Sequence, residues 1–189
     1  METIEALNSR ATAKTYGLTA PTKEHLAIAL QAAVRAPDHG RLRPWRFMLI
    51  EGDQRRKLGE MLAASALRRV PGLGEGDVQR ERDKALRAPL IIVVACRIVS
   101  GTKIPAIEQL MAAGAAAQNI LLALHALGYV AAWKTGEAAY DTEVKKSLGL
   151  AADDHLVAFI YTGGGAGATF AAGKAANVQD AMLEFPEAR

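Results

Sequence analysis

From Ala106 to Leu127 the chain carries one unbroken helical stretch that is apolar nearly all round, with the small-residue run Ala112-Ala-Gly-Ala-Ala-Ala117 at its middle. A helix with no polar face has to be covered on every side, and alanine and glycine let another backbone come close. The stretch therefore predicts a core or subunit-interface helix, with a homodimer assembled around it. Its length could also span a bilayer, but Glu108, Gln109, Gln118, Asn119 and His125 punctuate it and alanine is only weakly apolar, so no membrane is expected.

A chain of 189 residues suits one ordinary domain, 1–189, and shows no internal repeat. The single cysteine, Cys96, lies in the apolar run Leu90–Cys96 and reads as a buried structural thiol. With no disulfide to form, and with an N-terminus that lacks the basic-then-apolar layout of a secretory signal, a reducing cytoplasm is expected. A net charge of +3 is too small to indicate a nucleic-acid partner. Its distribution is more informative. Arg35, Arg41, Arg43 and Arg46 crowd with His39 into a segment whose only acid is Asp38, and that cluster calls for an anion.

Helical spacing covers 2–9 and 22–36, the second opened by Pro21-Thr22 and closed before Pro37, with a loop from Arg10 to Ala20 between them. Trp45–Ile50 reads as a half-buried strand and Asp53–Leu67 as a helix, and Pro71–Gly76 reads as a flexible break. Leu90–Ala95, continuously apolar and β-branched, suits a strand buried on both faces. A strand at Tyr129–Trp133, a helix near Asp141–Leu148 and a strand near His155–Thr162 follow. From about 163 to 189 an extended tail is expected, with Gly163–Gly167 as a flexible connection, and such a tail can wrap around a partner subunit. Strands and helices without regular alternation point to a mixed α+β layer.

Three segments carry candidate chemistry. In extended geometry Arg10, Thr12 and Lys14 share a face, offering a guanidinium fork, a hydroxyl and an ammonium to a phosphate and the polar edge of a ring, although the bare spacing also fits solvated charge. Ala36–Phe47 is a proline- and glycine-stiffened connector; Arg35 and His39 are its binding candidates, and Trp45 reads as core. Trp133-Lys-Thr-Gly136 places an aromatic, a cation and a hydroxyl at the end of a strand. No Gly-x-Ser-x-Gly, no His-Glu-x-x-His and no close Cys/His cluster occurs, so the commonest hydrolase and zinc patterns have no support and a cofactor is the expected carrier of any chemistry.

In their order and spacing, Arg10-x-Thr12-x-Lys14, Arg35-Ala-Pro-Asp-His39 with Pro44-Trp45, the buried strand at 90–95 and Trp133-Lys-Thr-Gly136 resemble the nitroreductase family, over nearly the whole chain up to about Gly163. The resemblance implies a largely antiparallel sheet flanked by helices and a homodimer whose active sites lie between subunits. It further implies FMN as the cofactor, with NADH or NADPH as hydride donor and a small nitroaromatic or quinone-like electron acceptor served by a ping-pong mechanism. Arg10, Ala11 and Thr12 would hold the phosphate and ribityl end, and Lys14 the pyrimidine edge. Arg35 and His39 would reach FMN held mainly by the other subunit, while Trp133, Lys134 and Thr135 would line its opposite side. The flavin itself carries the hydride, so no catalytic side chain is assigned. Ala123–Gly128 stands at the position associated with the nicotinamide cofactor. Asp38, His39, Arg41 and Arg43 stand where many relatives carry serines, an asparagine and a glutamine, which makes the rim more basic. Lys174 is the one candidate for a basic C-terminal contact to phosphate. Rival readings are another flavin enzyme on the same scaffold, a non-enzymatic flavin-binding protein, and an anion- or nucleic-acid-binding module.

Overall fold

A computed structural model describes residues 1–171 and 177–183. Its centre is the strand β2 (Leu90–Cys96), in which every residue is buried. β2 pairs antiparallel with β1 (Trp45–Glu51) on one side and with β4 (His155–Gly164) on the other, and β4 pairs antiparallel with β3 (Tyr129–Lys134). The resulting order is β1-β2-β4-β3. An unrelieved β-branched run can be satisfied only between two covered faces, and each fully buried Ile or Val there contributes roughly 1.5–3 kcal/mol over exposure.

Two helical layers supply that cover. On one face lie α2 (Lys23–Ala33) and α5 (Ala106–Ala126), packed with Ile92, Val94 and Ile160. On the other face, α3 (Gln54–Arg69) and α6 (Thr142–Ser147) pack with Ile91, Val93 and Phe159, and α4 (Glu75–Lys84) lies against α3. The short α1 (Thr3–Ser9) rests on α5. The expected α+β layer with a largely antiparallel sheet is what forms. Trp45 sits in the core as expected, and the Cys96 thiol is free, buried, and pushed up to about 11 by that burial, so it is held protonated and inert.

Three expectations need correction. The break at Pro71–Gly76 is shorter than predicted, because α4 already begins at Glu75. Its only buried residue is Val78, so it has no apolar stripe to reveal it; most of its charges are solvated while its Val78 side packs towards α3. The tail begins later than Gly163, since Gly163 and Gly164 are the last residues of β4, paired with Val130 and Tyr129. Gly163 is a packing glycine rather than a flexible one: a Cβ there would lie 2.6 Å from the Gly17 carbonyl oxygen and 2.8 Å from Pro89 Cδ. Within one protomer α5 is also not covered on every side. Ala113, Ala116, Ala117, Ile120 and Leu124 are fully buried, but Ile107 and Met111 stand 55% and 64% exposed. α5 is the one helix among the described residues long and apolar enough to cross a bilayer, yet it packs on α2 and the sheet, and its Gln109 is buried with both amide groups hydrogen-bonded to Val99.

Asp141 caps α6, with Oδ1 accepting from the Glu143 and Val144 amides at 2.8 and 3.2 Å and Oδ2 accepting from Arg68 at 2.8 Å. Burial by itself raises its pKa, but these hydrogen bonds outweigh that and hold it down at about 2. Because the folded value is the depressed one, the stabilisation is fully present above the ordinary carboxylate pKa and is lost as pH falls from about 4 through 2. Asp141→Ala is expected to cost about 1–2 kcal/mol in neutral urea melts, with the gap to the wild type closing below about pH 4. A gap that does not depend on pH would show that the carboxylate charge is not what caps the helix.

Candidate functional site

Where α1 ends, the chain leaves as an extended segment that the sheet captures. Thr12 forms a parallel bridge with Ala131 of β3, and the Ala13 amide donates to the Ala131 carbonyl at 3.1 Å. Ala13 is 1% exposed, so alternation turns Thr12 and Lys14 away from the core, as the extended geometry predicted. Its other edge is taken by the tail. The Lys14 amide donates to the Thr169 carbonyl at 2.8 Å, the Ala171 amide to the Thr12 carbonyl at 2.8 Å, and the Thr169 amide to Thr15 Oγ1 at 2.8 Å. The candidate loop is thus clamped between β3 and residues 169–171 of its own chain. Lys174 lies outside the described residues.

Register separates two residues that the sequence reading grouped. Trp133 pairs with Ile160, which belongs to the α5-side core, and its indole Nε1 donates to the Val157 carbonyl at 3.1 Å. Lys134 pairs with Phe159, which belongs to the α3-side core. Trp133 and Lys134 therefore straddle the sheet at the end of its edge strand, and Thr135 follows in the turn. Both stay next to the loop, because Thr12 and Ala13 bind Ala131, two residues earlier on β3.

Arg35 and His39 lie elsewhere, just beyond the end of α2. His39 Nδ1 is 2.6 Å from Glu108 Oε2 at the start of α5, and Arg35 is exposed. Among the described residues no hydrogen bond or ion pair joins either of them to residues 10–14. The segment around them is tightly wound. Gly40, Arg41 and Arg43 have φ of 69°, 55° and 50°, and the Arg43 amide donates to Asp38 Oδ2 at 2.7 Å. Two non-glycine residues in the left-handed region store strain, which persists only where the surroundings hold it. In Ala123–Gly128, Leu124 is fully buried and His125 Nε2 lies 2.8 Å from Ser9 Oγ.

Beside the loop opens a cavity of about 590 Å³, bordered by Lys14, Lys134 and Thr135 and running under α3 and α4 to Tyr16, Arg87 and Tyr161. The last three were missed by sequence reading, because they come from distant segments and no spacing connects them. Burial pushes Tyr16 and Tyr161 up to about 12, partly offset by the Arg87 charge, so both keep their hydroxyl protons at physiological pH. Arg10, Thr12, Lys14, Lys134 and Thr135 supply donors and cations and no carboxylate, a set that fits a phosphate and the acceptor-rich edge of a flavin. Among the described residues no group of three or more His, Cys, Asp or Glu is placed to hold a metal ion.

The sequence model of the Nitroreductase family matches residues 7–164. The chain is 34% identical to the Escherichia coli K12 protein named "Putative NAD(P)H nitroreductase YdjA" over 163 residues, 86% of this chain and 88% of that one. Its fold is that of a nitroreductase-like family protein from Bacillus cereus, with a TM-score of 0.82 at 24% identity, covering 100% of this chain and 97% of that one. A "putative nitroreductase in complex with fmn" from Desulfovibrio desulfuricans superposes with a TM-score of 0.75 at 26% identity, covering 98% of each chain.

Proposed function

Because the chain belongs to the nitroreductase family, we propose that it is an FMN-dependent oxidoreductase that takes hydride from NADH or NADPH and reduces small nitroaromatic or quinone-like acceptors by a ping-pong mechanism. When bound, the isoalloxazine ring supplies the redox chemistry, and the protein binds, orients and tunes. The observation that carries this reading is the clamped loop, whose Thr12 and Ala13 bind Ala131 of β3 and whose Lys14 borders one cavity with Lys134 and Thr135. Arg10, Ala11 and Thr12 hold the phosphate and ribityl end; a guanidinium fork and a hydroxyl suit phosphate oxygens. Lys14 places its ammonium at the pyrimidine edge, where a cation stabilises negative charge on the ring. Trp133, Lys134 and Thr135 border the opposite side from the end of β3.

Arg35 and His39 are assigned to the FMN of a second copy, which accounts for the lack of any bond, among the described residues, between them and the loop of their own chain. The active unit is then a homodimer, with α5 at the interface and the cytoplasm as its compartment.

The test is a visible spectrum of the purified protein before and after anaerobic NADH or NADPH. Bound flavin absorption is expected, bleached by the donor and restored by a nitroaromatic or a quinone. A colourless protein that takes up no added FMN would sink the proposal; one that binds FMN but is not bleached by either donor would be a flavin carrier instead.

A further inference from the structure

The cavity beside the loop has an apolar floor and a cationic rim. Leu62, Phe159 and the stacked rings of Tyr16 and Tyr161 make the floor, with the two ring centroids 6.4 Å apart and 29° between their planes. Lys14, Arg69, Arg87 and Lys134 stand on the rim, and none of them pairs with a carboxylate among the described residues. Two acids face them. Glu81 is taken up by Lys84 at 2.5 and 2.6 Å, which leaves Glu137 alone against four cations. Arg87 lies close enough to Tyr16 and Tyr161 for its charge to act on both hydroxyls. Tyr161 is only 7% exposed and lines the cavity, and its hydroxyl makes no hydrogen bond among the described residues. A flat greasy floor beneath unpaired cations and the free Tyr161 hydroxyl suits a planar molecule that carries one negative group, the Tyr16 hydroxyl donating to the Ala13 carbonyl at 3.5 Å. Such a group is costly to desolvate anywhere that does not replace its water with donors and positive charge.

We propose that this cavity is a subsite for the carboxylate of an aromatic electron acceptor, with Arg87 as its specificity-determining residue and the Tyr161 hydroxyl as its hydrogen-bond donor. The enzyme then favours carboxylate-bearing acceptors over their neutral isosteres, because a neutral group leaves the guanidinium unmatched. The assignment rests on the cofactor reading above, since Lys14, Lys134 and Thr135 border both sites. Arg87 is exposed and forms no ion pair among the described residues, so its replacement leaves the core intact.

The experiment titrates benzoate and benzamide by calorimetry into the FMN-loaded protein and into Arg87→Gln, Tyr161→Phe and the distant control Arg56→Gln. Benzoate is expected to bind on the order of tenfold more tightly than benzamide, with that advantage lost in Arg87→Gln, reduced in Tyr161→Phe and kept in Arg56→Gln. In turnover, kcat/KM for 4-nitrobenzoate should fall about tenfold in Arg87→Gln while that for 4-nitrobenzamide holds. Equal binding of the two probes, or full benzoate affinity in Arg87→Gln, overturns the subsite. So does benzoate that binds only before FMN is added, since the cavity would then be the cofactor's own. A protein that takes no FMN defeats the cofactor reading and the acceptor subsite with it, whereas FMN-loaded protein without a benzoate preference defeats the subsite alone.

Discussion

Arg10→Ala is expected to yield colourless protein whose Kd for FMN, followed by quenching of flavin fluorescence, is raised on the order of ten- to a hundredfold. The reasoning starts from what the side chain does without a ligand. Arg10 is half-buried where the chain leaves α1; its backbone amide donates to the Ala6 carbonyl at 3.1 Å, and its guanidinium forms no ion pair among the described residues. Truncation therefore removes little from the fold, and thermal stability should stay within about 0.5 kcal/mol of the wild type. A charge-assisted contact to a phosphate dianion is the interaction at stake. Arg10→Lys keeps the charge and loses the fork, so its affinity should fall between the two. Unchanged FMN affinity in Arg10→Ala would remove the phosphate from this loop.

The second large effect is expected at α5. Met111→Glu should turn a dimer into a monomer in light scattering and lose FMN at the same time. Ile107 and Met111 are 55% and 64% exposed on a helix whose opposite face is fully buried, and Ile4 of α1, which packs on α5, is 67% exposed. Apolar side chains left exposed on a helix whose other face is buried mark a candidate interface. In a two-fold dimer one substitution enters twice, and two buried uncompensated charges weaken association by several kcal/mol, or more than about a hundredfold in Kd. The protomer should survive, because Met111 is a surface residue within it. FMN loss follows if the mate's Arg35 and His39 complete the site. A wild-type monomer, or a Met111→Glu dimer that stays yellow, would refute this placement of the interface.

Elements whose burial follows a simple period were legible in the linear chain. The run at 90–95 read as an interior strand, the Ala-rich stretch read as a helix packed in the core, and Thr22 and Asp141 stood at helix starts where their side chains do cap. The nine proposed cofactor positions came from motif order, and the fold brings those at 10–14 and 133–135 side by side. Hidden from that reading were α4, whose charged surface has no apolar stripe, and the pairing of 169–171 with 12–15, since a tail of small residues shows no period.

By itself, then, the order of residues determined most of the helices and strands, α4 excepted, and which of their faces are greasy, because these properties depend on neighbours a few positions away. Only the tertiary structure decided that Trp133 and Lys134 face opposite sides of the sheet, that the tail closes over the loop, and that Tyr16, Arg87 and Tyr161 share one cavity. Those outcomes depend on strand register and on contacts between residues far apart in sequence, and a shift of one position in register exchanges every side chain between the two faces.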